Sequence, residues 1–170
     1  YNKGPRIPAF DGEYREHVKI AKLLIDGGID LAQTKKGSMQ KVLRDAAEIS
    51  PEITKMILDK LRESGQLEAE LNYQDSDGFT AMHTAVRSGN LETIRCLVNA
   101  GAQINIAEDY GFIPLHEAII GGNYENVKYL IGQGADVTHR ITRADGAYDA
   151  GDDAKAIASK SRNKEILNLF

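Results

Sequence analysis

The stretch Asp75-Ser-Asp-Gly-Phe-Thr-Ala-Met-His-Thr-Ala-Val-Arg-Ser-Gly-Asn90 returns 33 residues later as Glu108-Asp-Tyr-Gly-Phe-Ile-Pro-Leu-His-Glu-Ala-Ile-Ile-Gly-Gly-Asn123. Gly78 falls on Gly111, Phe79 on Phe112, His83 on His116, Ala85 on Ala118 and Gly89-Asn90 on Gly122-Asn123. Further along, Gly101-Ala102 falls on Gly134-Ala135. One register held across so many glycines and histidines marks a stacked repeat.

The residue types suit a pair of short helices. Pro114 fits a first helical turn, where its missing N–H costs nothing. Ala85 and Ala118 are small enough for two helices to lie close together. Gly89 and Gly122 end the first helix where the chain needs a positive φ. Ile94, Leu97 and Val98 recur as Val127, Leu130 and Ile131, an i, i+3, i+4 pattern that gives the second helix one apolar stripe. Gly101 and Gly134 stop that helix, and the turn-forming run Asn105 to Gly111 suits a β-hairpin-like connection.

The pattern weakens outward. Upstream, Ile20 to Leu31 reads as a second helix whose glycine stop is Gly28, while Pro5 and Pro8 break the stretch where a first helix belongs. That makes 12–33 a half repeat. Residues 34–71 read as a degenerate repeat, with helices over Val42–Ala47 and Pro51–Leu61. Gly28 to Gly101 spans 73 residues, two periods plus seven, and the extra residues are placed mainly in Leu61–Glu70. Regular repeats follow over 72–104 and 105–138. Asn90 to Asn163 is again 73 residues, which puts seven more in an exposed loop over 139–151. Residues 152–170 close the chain as a capping repeat, its polar character supplied by Lys155, Lys160, Arg162 and Lys164.

Thr80-Ala-Met-His-Thr-Ala and Ile113-Pro-Leu-His-Glu-Ala are split forms of the T-P-L-H-x-A signature, and the chain resembles the ankyrin-repeat family over 72–138. The first copy lacks the proline and the second the threonine, so a local hydrogen bond is in doubt at Ile113. The resemblance implies an all-α solenoid of stacked helix-turn-helix units joined by hairpin-like loops. It also implies that His83 and His116 tie one repeat to the next through hydrogen bonds.

Composition agrees with a folded water-soluble domain: 42% hydrophobic and 27% charged residues, with no apolar run near the ~20 residues of a membrane span. Cys96 is the one cysteine, so the chain holds no internal disulfide, and a reducing, cytoplasmic setting is expected. The chain begins at Tyr1 and reads as a piece of a longer protein. Its net charge of −4 is uneven: residues 1–66 carry +2, 67–153 carry −9 and 154–170 carry +3. An acidic middle repels phosphate and argues against nucleic acid as the main partner. It favours a partner with a basic patch, against the plainer reading of a solvated surface.

Little in the sequence points to catalysis or to a cofactor. His83 and His116 stand one repeat apart, roughly 10 Å, too far to share a metal at bond lengths of about 2 Å. His17 and His139 read as surface residues. Cys96, between Ile94 and Leu97, reads as an unactivated packing thiol. Asp145 to Asp153 departs from a calcium loop, with Ala156 where a bidentate glutamate belongs. Phosphate-loop, GxSxG and HExxH motifs are absent from the sequence. In the family, hairpin asparagines are targets of an asparaginyl hydroxylase. Asn105 is the best match, with Leu97 eight residues before it, but Gln103 replaces the acidic residue usually preferred two before. Its plainer role is to shape the turn.

In ankyrin proteins the hairpin tips and the exposed face of the first helices form a concave groove for partners. The framework residues are spent on folding. The positions left to recognise a partner are Ser76, Asp77, Phe79, Arg87 and Ser88 in one repeat and Asp109, Tyr110, Phe112 and Ile120 in the next. Phe79, Tyr110 and Phe112 within Asp77, Glu108 and Asp109 describe an aromatic patch with an acidic rim. Exposed aromatics are enriched among interface hot spots; alternatively Phe79 and Phe112 stack on each other and merely stabilise the groove. The expectation is a monomeric interaction module, without enzymatic activity or cofactor, that grips a protein segment bearing apolar and basic residues, with no nucleic acid and no membrane as partner. The rival expectation is a regulatory or targeting arm of a larger enzyme.

Overall fold

The computed structural model describes residues 38–170, with the side chains of 38–41 left aside. The half repeat at 12–33, its glycine stop Gly28 and His17 lie outside the described residues. The described chain is built of helix pairs: α1 (Ser38–Ile49) with α2 (Pro51–Glu63), α4 (Ala81–Ser88) with α5 (Leu91–Ala100), α6 (Pro114–Ile120) with α7 (Tyr124–Gly132), and α8 (Ala154–Lys160) with α9 (Lys164–Leu167). A short α3 (Leu67–Leu71) follows α2. The first helices stack α1–α4–α6–α8 and the second helices α2–α5–α7–α9. Among the described residues there is no strand, only an isolated bridge between Asp145 and Tyr148.

The same devices cut each pair. Asn90, Asn123 and Asn163 cap the second helices, their side-chain oxygens accepting N–H groups of the first turn, as asparagine does where four amides lack partners. Ser50 caps α2 in the degenerate repeat. Gly89 precedes its cap with φ +76°, and Gly122 with φ +70°. Arg162 takes that place in the last pair with φ +58°, a conformation side-chain-bearing residues avoid.

Ala85, Ala118 and Ala158 are buried where the helices approach, and Ile94, Leu97, Val127, Leu130 and Ile166 fill the layer beneath. Met82 and Leu115 are buried at one framework position; Lys155 occupies it in the last pair and is exposed. In the degenerate pair Arg44 stands where the histidines stand and forms an ion pair with Asp75 of the following hairpin. The extra residues before Asn72 turn at Ser64-Gly65 and form α3, which buries Leu71.

The 139–151 loop departs from a freely exposed one. Most of it faces solvent, but Ile141 is buried and Tyr148 half-buried. The Ile141 N–H donates to the Asp152 carbonyl (3.0 Å) and the Gly151 N–H to the Ile141 carbonyl (2.8 Å), closing the loop at its base. Lys160 holds Asp149 (2.6 Å) and Asp152 (2.5 Å) from α8, and those carboxylates raise the lysine's pKa.

Candidate partner-binding groove

Each hairpin is built around one carboxylate. Asp75 Oδ1 accepts the N–H groups of Asp77 (3.0 Å) and Phe79 (2.8 Å). Glu108 Oε1 does the same for Tyr110 and Phe112, at 2.9 Å each. These charge-assisted bonds fix the turn. The Asp109 N–H donates to the Asp77 carbonyl (3.1 Å), and Gln74 Nε2 donates to both Gly78 and Ala107 carbonyls (2.9 Å), joining the two tips. Gly78 has φ +84°, and a Cβ there would lie 2.8 Å from Glu108 Cα, so both backbone shape and space demand glycine.

Behind the tips sit the histidines. His83 Nε2 donates to the Phe112 carbonyl (3.1 Å), while Nδ1 accepts from the Thr80 N–H (3.2 Å) and hydroxyl (2.9 Å). This arrangement requires neutral imidazole with its proton on Nε2. Burial drives the His83 pKa down to about 4, against a smaller opposing pull from the Phe112 carbonyl. At His116, Nδ1 accepts from the Ile113 N–H at 3.4 Å, and the missing hydroxyl leaves this cap looser than its counterpart. Burial, and then the neighbouring His139, bring His116 to about 4. His139 is half-buried rather than a surface residue: its ring lies 5.8 Å from that of His116, and its Nε2 pairs with the Gly111 carbonyl at 3.1 Å.

The residues expected to face a partner separate into two groups. Ser76, Asp77, Asp109, Tyr110, Arg87 and Ile120 are exposed, with Tyr110 at 43% and Ile120 at 38%. Phe79 is half-buried, edge-on to His83 at 5.5 Å, with the Arg87 guanidinium over its face at 5.3 Å. Ser88 is half-buried, and its hydroxyl is spent on the Ala85 carbonyl (2.9 Å). Phe112 is a correction. It is 4% exposed, packed edge-on against His116 (6.1 Å) and Tyr148 (6.2 Å). The inserted loop reaches back over it, so Phe112 belongs to the support of the groove and not to its surface. Nor do the two phenylalanines pair as expected of a stabilising stack; each meets the histidine of its own repeat.

Three contributors went unread in the sequence. Glu117 is half-buried on α6; burial raises its pKa, Glu108 and Asp145 add to this, and Arg87 opposes it. Arg143 lies over the Tyr110 ring at 5.8 Å, and Tyr148 covers Phe112. Glu117 sits three residues after Pro114 and carried the only legible signal, a charge facing Arg87 of the repeat before.

Cys96 is half-buried, and burial together with Glu92 raises its pKa, the opposite of what a nucleophile needs. Asn105 is engaged on both ends of its side chain, accepting the Asp136 N–H (2.9 Å) and donating to the Gly134 carbonyl (3.3 Å). Among the described residues no three His, Cys, Asp or Glu side chains are grouped to hold a metal, and no helix is long and apolar enough to cross a membrane.

Helix pairs in register, joined by hairpins and tied by a buried histidine, define a tandem-repeat scaffold. The sequence matches the family model described as ankyrin repeats (3 copies) over residues 43–141, more than half of the chain, and the chain belongs to the ankyrin-repeat family. Ankyrin repeats are generally protein–protein interaction modules and are typically non-catalytic. No curated protein matches the chain.

Proposed function

We propose that this chain binds a protein segment bearing apolar and basic residues along its hairpin tips and first helices. The observation that carries the reading is the set of side chains the framework does not use. Tyr110 and Ile120 are exposed, and Arg87 lies over the ring of half-buried Phe79. Asp77 and Asp109 rim them in the open, and half-buried Glu117 lies within the field of Arg87. An aromatic and an aliphatic side chain left in water offer contact area at small entropic cost. The carboxylates around them select a cationic neighbour.

The test is capture by the chain and by a Phe79→Ser, Tyr110→Ser variant checked for folding by circular dichroism. Phe112 is left untouched, because its substitution would damage the hairpin itself. Proteins held by the parent chain and lost by the folded variant support the groove. Equal capture by both moves the site elsewhere on the solenoid.

A further inference from the structure

Among the described residues, the inserted loop beyond Thr142 rests on the groove from outside the repeat framework. Its base is fixed by buried Ile141. Beyond the base, the Thr142 N–H donates to the Tyr110 carbonyl (2.8 Å), repeating one period on the Asp109-to-Asp77 link between hairpin tips, and the Arg143 N–H adds a second bond to the same carbonyl (3.1 Å). Arg143 then lies over the Tyr110 ring, and Tyr148 sets its ring edge-on against Phe112. Lys160 secures the far side through Asp149 and Asp152. Residues 143–147, 149 and 150 are exposed, so beyond the Thr142 link the segment is held by one half-buried ring, one main-chain bond from Arg143, a cation over an aromatic and ion pairs at the surface. Each contact is of a kind that contributes little alone, and segments so held open at low free energy.

We propose that residues 143–150 are an intramolecular occupant of the partner surface, a flap that a partner segment displaces. The flap's contacts state the chemistry of that partner: a peptide that lays an arginine on Tyr110 and an aromatic ring against Phe112, with one main-chain donor to the Tyr110 carbonyl. The exposed carboxylate of Asp109, next to Tyr110 in sequence, favours the cation. This rests on the groove reading above and narrows it, since the flap supplies one basic and one aromatic side chain to that patch.

The experiment needs no natural partner. Deleting residues 143–149 removes the seven-residue excess and, with it, Arg143 and Tyr148, and leaves the Thr142 link in place. The probe is a synthetic peptide of sequence Thr142–Gly151, added to the shortened chain and to the parent while backbone and aromatic NMR resonances are followed. A tethered segment acts at an effective concentration in the millimolar range, so the peptide is carried to about 10 mM. The expected result is saturable shifts at Tyr110 and Phe112 in the shortened chain, at least tenfold weaker in the parent. They should disappear when the peptide carries Arg143→Ser and Tyr148→Ser. No shift in a folded shortened chain, or equal shifts in both chains, overturns the proposal. If the shortened chain does not fold, the full-length Arg143→Ser, Tyr148→Ser variant takes its place under the same two outcomes. A failed protein capture with a positive peptide result removes the general reading of the groove but keeps the flap site; the reverse removes only the flap.

Discussion

His83 and His116 are buried, neutral and placed by the fold, and this has a consequence in pH. Both stand at about 4 in the folded chain against an ordinary 6.5, because burial disfavours the charged ring. The unfolded chain therefore binds more protons between those values, and stability falls as pH drops from 6.5 towards 4. At 1.36 kcal/mol per unit, the loss approaches about 3 kcal/mol per imidazole at the acid end. Urea unfolding at pH 7, 5.5 and 4.5 should show a falling midpoint, with the slope reduced by about half in His83→Gln. A flat profile between pH 7 and 4.5 is incompatible with buried neutral rings. Arg162 offers a second check. At φ +58° it takes the left-handed conformation that Gly89 and Gly122 supply in earlier repeats, so Arg162→Gly should stabilise the chain by about 1 kcal/mol. No gain in the thermal midpoint would mean that the strain is relieved elsewhere.

At the scale of the element, the two hairpins share a backbone plan and differ in what covers them. Phe79 is half-buried under an arginine, whereas Phe112 lies beneath the inserted loop. Phe112→Ala should cost about 3–5 kcal/mol, the range for a buried phenylalanine. Phe79→Ala should cost no more than about 1–2 kcal/mol, since much of its ring is already wet. Denaturant midpoints of the two variants decide it; similar losses would mean that the hairpins are covered alike. The repeat period made the hairpins, the glycine stops and the helix starts legible, because glycine, asparagine and alanine are each demanded there by local geometry. The burial of Phe112 was not legible. It depends on where an out-of-period insertion folds, which is decided by Tyr148 and Arg143 finding Phe112 and Tyr110 across the chain, and spacing carries no such information. The same holds for Arg44, whose pairing with Asp75 substitutes for a histidine the degenerate repeat lacks.

Across the whole molecule, the stacked pairs place one exposed face of first helices beside one row of hairpin tips, and chemistry varies only at positions the stack does not consume. Position was readable in the sequence, since the repeat names its own variable sites. Occupancy was not, because Ser88 spends its hydroxyl on α4 and Phe112 is covered by the chain itself. On the proposed reading, this face recognises basic and aromatic or aliphatic side chains together. The most direct measurement is selection of random twelve-residue displayed peptides against the folded chain, repeated with the Phe79→Ser, Tyr110→Ser variant. The expected outcome is enrichment of arginine or lysine near an aromatic or aliphatic residue, with at least tenfold weaker binding to the variant. Enrichment of acidic peptides, or binding that the double substitution leaves unchanged, would contradict it.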